Sequence, residues 1–109
     1  MLDEWIKVLG KEKDLAIEKV NEASSDKKLV GLATHAIEVN FVSAKDWLKE
    51  MDNRGYKLEK DLSKVEKYSE ASQDYRRVYN HVEYHMHAIR IIPLQVEEGK
   101  FDVNKFSHY

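Results

Sequence analysis

Between Leu58 and Ile89 the apolar and aromatic residues recur at intervals of three and four over an unusually long distance. Leu58, Leu62, Val65, Tyr68, Ser72, Tyr75, Tyr79, Val82, Met86 and Ile89 form one stripe. That period belongs to an α-helix and conflicts with the two-residue alternation of a half-buried strand. The whole chain holds four glycines and one proline, so it has few places to turn. The segment of about 57–92 therefore reads as one very long helix, or as two helices broken near Ser69-Glu70-Ala71-Ser72. Bundle geometry favours the break, because two shorter helices would leave part of one long partner uncovered.

Two further helices precede it. Leu2, Trp5, Ile6, Leu9, Ala16 and Val20 lie near a helical period, with Asp3 and Glu4 in the first turn, where the helix dipole favours acids. The polar run Ser24-Ser25-Asp26 ends this helix, and Ser25 or Asp26 can cap the next. In the second helix Val30, Ala33, Ile37, Asn40, Ala44, Trp47 and Met51 make one stripe, interrupted by a single polar residue. Leu29, Leu32, Ala36, Val39, Phe41 and Val42 extend the apolar surface nearly all the way round. A helix of that kind is central in its fold or covered in an oligomer. Asn53-Arg54-Gly55 supplies its stop. Near the end, Pro93 either kinks or ends the last helix, Glu97-Glu98-Gly99 reads as a turn, and Asp102 can cap a final turn that buries Val103 and Phe106. The expected fold is an all-α up-and-down bundle of four helices, or three with one very long, in a single domain spanning 1–109.

Composition narrows the function classes. There are 18 basic and 20 acidic side chains, a formal net charge of −2, so the strong positive field used by general nucleic-acid binders is missing. There is no cysteine, which removes disulfides, thiolate nucleophiles and Cys-based zinc sites. The acidic start Met1-Leu2-Asp3-Glu4 lacks the features of a secretory signal, and no apolar run approaches the ~20 residues of a membrane span. A cytoplasmic protein without membrane contact is the expectation.

Chemistry, if any, concentrates in the run Tyr75-Arg76-Arg77-Val78-Tyr79-Asn80-His81-Val82-Glu83-Tyr84-His85-Met86-His87, which holds three of the chain's five histidines. His81 and His85 are four apart, so both project from one side of a helix about 6 Å apart. Such a pair can bind a transition-metal ion if another helix completes the ligand set, and His35 and Glu38 of the second helix are the candidates. Their placement argues against a site inside the bundle. His81 lies roughly 120° and His85 roughly 80° from the centre of the tyrosine stripe, and His35 and Glu38 also fall outside the main stripe of their helix. Buried tyrosine hydroxyls on the stripe need partners, and Asn40 on the facing helix is one such partner.

Arg76 and His81, separated by four residues, resemble the Arg-x4-His element of the HEPN family, compact helical bundles that often act as ribonucleases in dimers. The second helix, with Ala33, Ala36, Ala44 and Lys45 before Leu48, is loosely similar to that family too. The resemblance implies that Arg76 stabilises phosphate charge and His81 assists proton transfer at a dimer cleft. A departure is Arg77, where family members usually carry a small polar residue.

The reading that accounts for most residues is a small non-enzymatic protein acting through a helical surface, on a protein partner or as a homodimer. Trp5, Val39, Phe41 and Trp47 are the expected anchors, because large aromatic and aliphatic side chains dominate interfaces. On this reading the Tyr/His enrichment is a polar-lined helix interface and no cofactor is required.

Overall fold

The computed structural model describes residues 2–56 and 70–106. Apart from the connections, these residues are helical: α1 spans Leu2–Ala23, α2 Lys27–Asn53 and α3 Glu70–Glu97, and a single 3-10 turn covers Val103–Lys105. Leu58, Leu62, Val65 and Tyr68 lie outside the described residues, and with them the question of one helix or two over 57–92 and the expected fourth helix.

The ends of the helices follow from local chemistry. The Asp26 carboxylate accepts from the backbone N–H groups of Lys28 and Leu29 at 3.1 and 3.3 Å, satisfying two donors that a helix start leaves unpaired. At the other end of α2, Gly55 takes the left-handed conformation with φ of 74°. Its N–H donates to Asp52, and the N–H of Tyr56 reaches back to the carbonyl of Met51 at 3.0 Å. The end of α3 repeats this geometry: Gly99 has φ of 71°, its N–H donates to Val96, and that of Lys100 donates to Gln95 at 2.8 Å. Both ends are Schellman motifs, in which glycine avoids the Cβ strain of a positive φ. Pro93 does not end α3, which runs on to Glu97. Asp102 caps the 3-10 turn through the N–H of Asn104, and Phe106 is buried behind it.

Three cross-helix contacts set the topology. Arg54, at the end of α2, bonds Asp74 near the start of α3; Asn40 meets His85; and Glu12 of α1 pairs with Arg90. Thus α2 runs antiparallel to α3. The seam between α1 and α3 passes from Trp5 beside Tyr79 to Lys19 beside Pro93, so those two helices are parallel. The core uses Leu9, Ala16 and Val20 of α1, the small residues Ala33, Ala36 and Ala44 with Ile37, Leu48 and Met51 of α2, and Tyr75, Val78, Tyr79, Val82, Met86, Ile89 and Ile92 of α3. The three alanines are buried in the core, where small side chains reduce the separation at which helices pack.

Candidate functional site

The polar centre of the bundle is the pair Asn40–His85. Asn40 is fully buried and His85 nearly so. The Asn40 amide nitrogen donates to the carbonyl of Ala36 at 2.8 Å, one helical turn back, which turns its oxygen toward α3. That oxygen lies 2.9 Å from Nδ1 of His85. An amide oxygen only accepts, so Nδ1 carries the proton and donates. Burial holds the imidazole below its ordinary pKa, and the neighbouring His81 adds to the effect. Asn40 was expected to serve a tyrosine hydroxyl; its side chain instead orients a histidine.

His81, one turn away, behaves differently. It is exposed and stacks flat on Trp47, with ring centroids 4.1 Å apart and planes within 6°. The two histidines therefore occupy distinct environments, one inside the bundle and one on its surface. His35 and Glu38 are exposed on α2, on the side away from Asn40. Among the described residues no three His, Asp or Glu side chains are grouped as a metal site requires.

Asp74 gathers a second polar constellation where the end of α2 meets α3. Arg54 donates to both of its oxygens at 2.8 Å, Arg77 donates at 2.6 Å, and the Tyr56 hydroxyl also donates to it. Arg54 further bonds Glu50 at 2.8 Å. The hydrogen bonds from Tyr56, Arg54 and Arg77 hold the Asp74 carboxyl at a pKa of about 2. This clamp was not anticipated: Arg54 and Tyr56 lie 20 and 18 residues from Asp74 in the chain, and only the antiparallel return brings them together.

Arg76 and His81 do share one surface. With Gln73, Arg77, Asn80 and Tyr84 they line an open depression along the outer side of α3. Arg77 reaches it already engaged with Asp74, so part of its positive charge is compensated.

The expected interface anchors are divided among different places. Trp5 lines a groove of about 290 Å³ between α1 and α3, floored by Leu9, Leu48 and Met86 and bordered by Glu4, Glu12, Glu83 and Arg90. Within it burial pushes the Tyr79 hydroxyl up to about 12, helped by Glu83. Trp47 is half-buried against His81, and Phe41 is half-buried with Lys13 and Lys45 ammonium groups 4.8 and 5.4 Å from its ring centre. Val39 is half-buried as well, on the side of α2 opposite Asn40, where Leu32 and Val42 are 39% and 47% exposed. The sequence places Leu32 and Val42 on the wide apolar surface of this helix but not among the expected anchors, although they stand seven and three residues from Val39. Among the described residues no helix is long and apolar enough to cross a membrane. No known family matches the chain, and no curated protein or solved structure matches it either.

Proposed function

We propose that this chain is a non-enzymatic interaction protein whose binding surface is the outer face of α2. The observation that carries the reading is the second apolar side of that helix. Its inner side supplies Ala33, Ile37, Asn40, Ala44, Leu48 and Met51 to the core, yet Leu32, Val39 and Val42 repeat on the opposite side at helical spacing. Scattered surface aliphatics need no explanation, but a row of them along one helix marks a contact surface. The buried Asn40–His85 pair fits a structural role, since one specific polar contact inside a bundle selects the register in which two helices pack.

The test compares the full chain with the Leu32→Lys/Val42→Lys variant, by sedimentation and by affinity capture from cells, with circular dichroism to verify helicity. The expected result is that the wild type is found in a complex, with itself or another protein, and that the helical variant loses it. A wild type that stays monomeric and captures nothing the variant loses refutes the reading.

A second reading rests on the shared depression of Arg76 and His81. An arginine beside a histidine in an open polar cleft can bind a phosphodiester and assist proton transfer, as the HEPN resemblance implies. Under it, Arg76→Ala and His81→Ala each abolish RNA cleavage by the purified chain, measured on a labelled oligoribonucleotide. Cleavage that survives in both variants excludes these roles.

A further inference from the structure

The exposed face of α2 has an internal symmetry that its hydrophobicity alone does not require. Lys28, Leu32, His35, Val39, Val42 and Asp46 follow one another at intervals of four, three, four, three and four residues. Each of them is exposed or half-exposed. At about 100° per residue they form a single straight stripe on the side of the helix away from the core. An alternation of three and four is the seam of a two-helix coiled coil.

Read in the two directions, the stripe is complementary to itself. When one α2 is laid antiparallel on another, with the crossing point at position 37, the residues that face each other have numbers summing to 74. Lys28 then meets Asp46, Leu32 meets Val42, and His35 meets Val39, each pair occurring twice by symmetry. The outer layers are oppositely charged and the next layers are aliphatic. Gly31 and Ser43 border the stripe, and among the described residues no atom beyond Gly31's own helix turn lies within 4 Å of where a Cβ on Gly31 would stand. The backbone of a second helix can approach there without steric cost.

Building on the proposed interaction role, we infer that the partner of this surface is a second copy of the chain, bound across a twofold axis by antiparallel pairing of the two α2 helices. A surface that matches itself under a twofold operation closes with two subunits, which is the usual route to a homodimer. Val39 is the anchor nearest the axis, and the Lys28–Asp46 pairs at the two ends fix the register. With two helices in contact the interface is at the small end of the usual range, so the dimer dissociates on dilution.

Register and self-association are tested separately. The chain has no cysteine, so Leu32→Cys and Val42→Cys introduce unique thiols. In the proposed register residues 32 and 42 of different copies face each other. Like residues are offset by ten positions, about 15 Å along the helix. A short bismaleimide should therefore link a mixture of the two variants far more efficiently than either variant alone. Equal linking in all three samples, or linking confined to like residues, overturns the register. The charge layer gives an independent measure. Lys28→Asp and Asp46→Lys should each weaken the dimer roughly tenfold, because two attractions become two repulsions, and the double variant should recover the wild-type dissociation constant. A double variant no tighter than the singles also overturns the pairing. If sedimentation of the wild-type chain shows monomer at every concentration, self-association is refuted. In that case capture of a foreign partner that is lost in Leu32→Lys/Val42→Lys would leave the interaction role itself intact.

Discussion

Replacing Asn40 by leucine is expected to lower the stability of the folded chain by about 1–3 kcal/mol, the usual cost of leaving a buried polar group without its partner. The residue size is nearly kept, so the loss reports the hydrogen bond and not a cavity. The His85 Nδ1–H would lose the amide oxygen it donates to, at a position where both side chains are buried. For a domain of this size each kcal/mol corresponds to a fall in melting temperature of roughly 4–8 °C, well within reach of calorimetry or a thermal circular-dichroism scan. Replacing both residues by leucine should cost less than the sum of the single changes, since no orphaned donor remains.

The same pair gives the stability a defined pH dependence. The pKa of His85 is lowered in the folded state, chiefly by burial. As pH falls through the ordinary histidine value of about 6.5, the unfolded chain takes up this proton first, and the folded state is penalised. The stability advantage of the neutral buried ring is thus present above that pH and declines below it. His85→Leu should remove this component, so the stability of the wild type relative to the variant is expected to be highest above the unfolded value and to fall as pH drops from there to the lower folded one. A difference that is flat across that window would show that His85 is not held neutral by the fold.

The second large effect is expected at Ile37. This side chain is completely buried on the inner face of α2. Truncation to alanine removes its packing and leaves a cavity, at a cost of about 2–5 kcal/mol. Two residues further on, Val39→Ala changes a side chain on the outer face, where a change of about 0.5 kcal/mol or less is expected for the isolated subunit. Chemical denaturation at low protein concentration, where association is suppressed, measures both. Similar losses at the two positions would mean that the outer face is covered within the monomer.

Much of the architecture was readable because helix periodicity and end signals are local. The three-four spacing of Tyr75, Tyr79, Val82, Met86 and Ile89 marks the residues that are in fact buried. Asp26 caps α2 and Gly55 ends it because capping needs only a side-chain oxygen within three residues and a backbone without a Cβ. Pro93 was ambiguous for a physical reason. Proline removes one helical hydrogen bond, and whether the helix survives depends on packing around it, which a local pattern does not contain.

The candidate sites were much less legible. His81 and His85 are a single turn apart and alike in sequence, and a helical wheel places both off the stripe. Packing separates them: α2 offers an amide oxygen to one and the face of Trp47 to the other. The interface anchors show the same limit. Trp5, Val39, Phe41 and Trp47 are all half-buried, and the aliphatic residues most exposed on α2 are Leu32 and Val42, on the side where Val39 stands.

The sequence by itself determined that the chain is helical, where two of its helices end, and that α2 is apolar on more than one side. Those properties depend on spacing along the chain and on the chemistry of a few neighbouring residues. The tertiary structure alone decided which side of α2 meets the core, which histidine is buried, and that Arg54 and Tyr56 close on Asp74. Each of those depends on residues from separate helices arriving at one place, and the antiparallel return of α3 along α2 is what brings them there.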